Sequence, residues 1–166
     1  MDQEQMAAWM KYANPSENHE FLNKLVGKWN CTTKFWMQPG QPPQESTGTS
    51  TQEMVLGGRF LQGDYQGNMM GQPFSGMSID GFDNHTGKYF GLWMDSMGTK
   101  AMVFHGACDG NVREMISEYE DPHTNRPTQM KGVTKIVSEN EFVYEGWNLG
   151  PDGEFFKQME VHYTRQ

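Results

Sequence analysis

The feature that most constrains this chain is the shortness of every link between its strand-like segments. From Trp29 onward, runs of β-branched and aromatic residues recur at about 29–37, 45–55, 59–66, 74–82, 88–95, 100–108, 112–120, 128–137, 141–148 and 154–164. Turn chemistry ends each run. Examples are Gly57-Gly58, the Gly67 to Pro73 loop, Asp83-Asn84-His85-Thr86-Gly87, Ser96-Met97-Gly98, the Asp121 to Pro127 loop, Ser138-Glu139-Asn140 and Pro151-Asp152-Gly153. Asp109-Gly110 is the sharpest, because a two-residue hairpin needs positive φ at both central positions. Parallel neighbours require a crossover of about a dozen residues, and no link is that long. Consecutive segments must therefore pair antiparallel. Left open, such a sheet would expose two long edges, which closure removes. A two-sheet sandwich is the rival, but its Greek-key crossings need longer links. The expected fold is all-β, a ten-stranded antiparallel up-and-down barrel with an N-terminal helix closing one end.

Residues 1–26 have a different period. Met6, Met10 and Ala13, with Trp9 beside them, make an apolar stripe at helical spacing. Asn14-Pro15-Ser16-Glu17 then reads as a second helix start, with Asn14 as cap, Pro15 in the first position and Glu17 reaching back. Phe21, Leu22, Leu25 and Val26 form its buried stripe, and Gly27 stops it. One domain is expected over 1–166, with helices in 1–26 and the barrel in 27–166.

Charge narrows the function classes. Lys+Arg 13 against Asp+Glu 21 leaves a net charge of -8 with no basic cluster, so nucleic acid is not an expected partner. No apolar run reaches the roughly 20 residues of a membrane-spanning helix. The opening Met1-Asp2-Gln3-Glu4 lacks the basic start of a signal peptide, so a cytoplasmic location is expected. Cys31 and Cys108 stand apart, outside any C-x-x-C pattern, and read as free thiols.

Gly27-Lys28-Trp29 at the start of the first strand, with Arg165 at the end of the last, is similar to the pattern of lipocalins and their calycin relatives. That resemblance implies that Trp29 packs at the closed end with the Arg165 guanidinium across its face, a cation–π pair. From about His19 to Tyr163 the chain also resembles a family of uncharacterised bacterial proteins known as a domain of unknown function. The motifs are Leu25-Val26-Gly27-Lys28-Trp29, Gly57-Gly58-Arg59-Phe60-Leu61, Gly76-Met77-Ser78-Ile79-Asp80-Gly81-Phe82-Asp83, Thr86-Gly87-Lys88-Tyr89 and Trp93-Met94-Asp95-Ser96-Met97-Gly98. This likeness implies a lipocalin-like barrel and brings no activity or catalytic residue with it.

Alternation from Trp29 and Arg165 assigns faces. Cys31, Thr33, Phe35 and Met37 should face inward, as should Phe155, Lys157, Met159, Val161 and Tyr163. Phe156, Gln158, Glu160 and His162 then face outward. In the middle strands Tyr89 and Trp93 oppose Phe90, Leu92 and Met94, so both faces are apolar. Either the first helix or a second copy should cover the outer one.

The histidines show no metal-ligand spacing. His19, His85 and His123 read as exposed, and His105, in mid-strand, as a candidate lumen group. The calycin-type nitrobindins bind haem through a strand histidine, but this chain lacks their glycine-rich opening and His162 points outward. Asp80, Asp83 and Asn84 with Gly81 and Gly87 do not match a calcium-loop pattern and read as a self-bonded hairpin. Glu114 and Glu118 read as outer-face residues. No cofactor and no metal are expected.

Three functions stay open. The first is binding of a small, mostly apolar ligand in the lumen, with Trp93, Tyr144, Met159 and Tyr163 as wall residues and His105 and Arg165 as polar contacts. A barrel enzyme would use His105 or a lumen carboxylate for proton transfer. A filled barrel would act instead as an oligomeric partner-binding protein, such as a homodimer.

Overall fold

The computed structural model describes residues 2–166. Ten strands follow one another: β1 (Gly27–Phe35), β2 (Gln44–Val55), β3 (Phe60–Met69), β4 (Gln72–Asp83), β5 (Lys88–Asp95), β6 (Met102–Asp109), β7 (Val112–Asp121), β8 (Arg126–Ser138), β9 (Glu141–Leu149) and β10 (Phe155–Arg165). Each pairs antiparallel with its neighbours in sequence, and β1 pairs with β10 to close the barrel. The short links thus have the consequence expected of them: no crossover and no open edge.

Closure is set in register by Trp29 opposite Arg165. Along β1, Trp29, Cys31 and Thr33 are buried while Lys28, Asn30 and Thr32 are exposed, the alternation of a strand with one wet face. Met37 lies past the end of β1 and is exposed rather than inward.

A bulge in β10 changes the predicted faces. Lys157 pairs with Trp147 and Met159 with Gly146, so Gln158 is the extra residue. The insertion reverses parity on its N-terminal side. Lys157 therefore lies outside, its ammonium ion-paired to Glu145 and Glu160 and set over the rings of Trp36 and Trp147. Phe155 shares that outer face, with Lys131 over both its ring and that of Trp147. Gln158, expected outside, lines the lumen.

The N-terminal segment closes one end, as expected, and the second, shorter helical piece does so rather than the first. α1 (Gln3–Ala13) buries no residue, and Met6, Trp9 and Met10 are about half exposed. Only its C-terminal end is tied down. Arg59 Nε donates to the Ala13 carbonyl at 2.8 Å, and Asn84 Nδ2 donates to the Tyr12 and Asn14 carbonyls at 3.0 and 2.8 Å. The plug itself is a 3-10 turn (Glu17–His19) running into the single turn α2 (Glu20–Asn23), which buries Phe21 and Leu22.

The cap of that plug is Ser16, two residues later than expected. Asn14 precedes Pro15 and is held extended (φ -97°, ψ 148°), so it ends α1 instead of starting the next helix. Its amide donates to the Met10 carbonyl. His19, expected exposed, is 4% exposed, and its Nδ1 accepts the Ser16 N–H at 3.0 Å. Burial lowers the pKa of this imidazole below its ordinary value.

Candidate functional site

The closed end is built from a ladder of rings. Arg165 lies with its guanidinium carbon 4.2 Å from the Trp29 ring centroid. Its Nη1 donates to the Val26 carbonyl and its Nε to the Glu139 carbonyl. The Trp29 indole donates to the Leu25 carbonyl at 2.9 Å and meets Phe142 edge-on at 4.7 Å. Phe142 then stacks on Tyr163 at 4.1 Å, which carries the ladder to the lumen wall. Gly27 makes this possible. Its φ is +145°, and a Cβ there would collide with Arg165 Nη1.

Above the plug the lumen holds a cavity of about 320 Å³. Aromatic and thioether side chains dominate its wall, among them Phe74, Trp93, Phe104, Met115, Tyr144 and Met159. Strand glycines seat several of the rings. A Cβ at Gly76 would overlap the Trp93 indole, and one at Gly132 would lie 2.9 Å from the Tyr144 hydroxyl oxygen. The space beside these glycines is thus occupied by rings, and the cavity remains beyond them.

The floor is polar. Arg113 on β7 and Asp80 on β4 are 5% and 8% exposed, and Arg113 Nη2 lies 2.9 Å from Asp80 Oδ1. The guanidinium rests against the rings of Phe21, in the plug, and Tyr89 at 5.4 and 5.9 Å. Its Nε and Nη1 are buried without a hydrogen-bond partner in the protein. Gly91, on the strand after β4, gives Asp80 its room: a Cβ there would lie 3.1 Å from Oδ1. Burial pushes the Tyr144 hydroxyl up to about 12, and it raises the Tyr163 hydroxyl well above its ordinary value for the same reason. Both remain proton donors across the physiological range.

The opposite end opens to solvent. A second hollow of about 530 Å³ lies between the β1–β2 strands and the β3–β4 hairpin, and it shares Thr33, Phe35, Asn68 and Met69 with the inner cavity. A molecule entering there passes Trp93, whose indole N–H donates to Asp95 at 2.7 Å.

Of the residues singled out in the sequence, Trp93, Tyr144, Met159 and Tyr163 converge on the cavity. His105 does not. It is exposed on the outer face of β6, where Phe104 is the inward residue, because the strand's parity places the imidazole outside. Arg165 sits at the closed end on Trp29, away from the cavity lining. His162 is outside as expected, bonded to Glu160 at 2.8 Å.

The Asp80–Arg113 pair was missed, for two separate reasons. Asp83 behaves as the hairpin reading requires, accepting from the His85 N–H and the Thr86 hydroxyl, both at 2.8 Å. Asp80 was grouped with it, yet belongs inside β4 and faces the lumen. For Arg113 a signal was present. Placing Glu114 and Glu118 outside forces Arg113, Met115 and Ser117 inside, and all three are buried.

A family described as a protein of unknown function, DUF1579, matches residues 14–165. The chain belongs to this family. The resemblance read from the motifs is therefore confirmed, and the family brings no activity with it. Among solved structures, the chain is similar to Rv2717c from Mycobacterium tuberculosis, with 17% identity and a TM-score of 0.64, covering 92% of this chain and 99% of the other. It is also similar to a redesigned β-barrel, with 16% identity and a TM-score of 0.47 over 87% and 94% of the two chains. At such identities the mycobacterial likeness speaks to the fold alone. No curated protein matches the chain.

Proposed function

We infer that this barrel binds one small, mostly apolar molecule in its lumen. The observation that carries the reading is the cavity of about 320 Å³, walled by aromatic and methionine side chains with a few placed polar groups and reached from one end. That size lies at the low end of the range for ligand pockets. Methionines let the wall adjust to a guest's shape. Apolar burial at about 25 cal/mol per Å² supports micromolar binding once ordering costs are met. The enzyme alternative loses the group it leaned on, since His105 is outside and the lumen carboxylate Asp80 is held in an ion pair.

Trp93 supplies the test, because it lines the cavity. Titration with fatty acids, retinoids, haem and aromatic metabolites should change tryptophan emission with saturation in the micromolar range for at least one class. If nothing binds below millimolar, the lumen is not a ligand site.

A second reading rests on the outer face of β4 to β6. Met77 and Met94 are cross-strand partners there and, with Val103, are about two-fifths exposed. α1 does not cover them, which leaves a second copy of the chain as the cover. Sedimentation should show a dimer at micromolar concentration, and Met94→Lys should return it to monomer. A monomer throughout removes this reading.

A further inference from the structure

Resting on the lumen as a ligand site, we propose that its guest carries one uncharged oxygen acceptor, such as a ketone, ester or amide carbonyl, seated on one of the two unpaired guanidinium N–H groups of Arg113, at Nε or Nη1, on the cavity floor.

The argument begins with the unmet donors. Arg113 is 5% exposed, and of its guanidinium nitrogens only Nη2 has a partner, Asp80 Oδ1 at 2.9 Å. Nε and Nη1 are buried without a protein acceptor, and Arg113 lines the cavity. Buried N–H groups of a cation are costly to leave unpaired, and the protein supplies nothing further for them. A guest whose inner end bears an acceptor meets that demand. A pure hydrocarbon does not.

Charge decides which acceptor. Among the described residues lining the cavity the charged groups are Arg113, Asp80 and Asp95, two acids against one base. Asp80 already neutralises Arg113. Asp95 lines the cavity as well, and Glu45 lies beside the outer hollow. A carboxylate entering would pass acids and add an unbalanced negative charge in a dry space. A carbonyl oxygen accepts one of these N–H groups and adds no charge. The Tyr144 and Tyr163 hydroxyls, held protonated by burial, reinforce a wall that donates.

The cavity has room for about ten water-sized groups at about 30 Å³ each. Suitable probes are therefore decan-2-one, decane and decanoate, titrated into the full-length protein near neutral pH by calorimetry and tryptophan emission. The ketone should bind at least about tenfold more tightly than the alkane, the gain expected of hydrogen bonds to a charged donor. It should also bind more tightly than the carboxylate. The paired substitution Asp80→Leu with Arg113→Met should abolish the ketone's advantage and retain decane binding. Should that variant not fold, the Arg113 guanidinium N–H resonances of the wild-type protein decide, one moving downfield with ketone and all staying put with decane.

Decane binding as tightly as decan-2-one, or decanoate binding tightest, overturns the role given to Arg113 and leaves the lumen as a ligand site. Failure of all three probes, together with the broader panel, removes the ligand site itself.

Discussion

Single residues carry much of the closed end. Gly27 combines a positive φ with the one spot where Arg165 crosses the chain, so Gly27→Ala should cost about 2 kcal/mol or more in urea denaturation. Arg165→Ala removes the packing over Trp29 and two bonds to carbonyls, and about 1–2 kcal/mol should be lost. A wild-type unfolding midpoint in either variant would show that this contact adds nothing. Deep in the lumen, Asp80→Asn leaves the Arg113 charge without its counterion and should destabilise by about 3 kcal/mol or more. Replacing both partners by apolar groups should be far milder than that single change, because no unpaired charge remains.

Among the elements, the plug is the pH-sensitive part. His19 is buried with a lowered pKa and accepts the Ser16 N–H, a role only the neutral ring can fill. The unfolded chain therefore takes up the proton more readily than the folded one. This contribution is fully present above the ordinary value of 6.5 and is lost as pH falls below it toward the folded value. Thermal melts at about pH 7.5 and about pH 5 should show the loss, and His19→Gln should shrink the difference between them. An unchanged difference in the variant would move the effect to other groups. α1 behaves oppositely. With no buried residue, its removal should change stability by less than about 0.5 kcal/mol, as for other surface changes, provided the ties of Ala13 and Asn14 to Arg59 and Asn84 are kept.

At the scale of the whole molecule, the ten strands make a shell whose two ends differ. One is sealed by Phe21, Leu22 and Leu25 over the Arg113–Asp80 pair, and the other is open beside the β3–β4 hairpin. Filling the lumen should therefore block binding without touching closure. Gly91→Leu is a direct way to do so, since its Cβ would already crowd Asp80 and the Met115 methyl at 3.1 and 3.2 Å. Loss of tryptophan response to every ligand, with the β-rich circular dichroism kept, is the expected result. Unchanged affinity in that variant would place the bound molecule elsewhere.

The sequence by itself determined the architecture, because link lengths, turn residues and period-2 alternation are local properties. Short links forbid crossovers, and the Trp29–Arg165 contact is what the resemblance of Gly27-Lys28-Trp29 and the late Arg165 to lipocalins implied. Among the wall residues, Met159 and Tyr163 were legible by alternation from Arg165, whereas Trp93 stood on a strand with two apolar faces. Tertiary structure decided what depended on an irregularity or a distant partner. The extra Gln158 reversed the faces of Phe155 and Lys157, and nothing in the alternation marks where a strand will bulge. His105 sits where both faces read alike, so parity had to be fixed by neighbouring strands. The plug had to fold over the barrel before His19 was buried rather than exposed. Asp80 and Arg113 lie on strands three apart in the barrel wall, and only its curvature, with Gly91 leaving room between them, brings their charges within 2.9 Å.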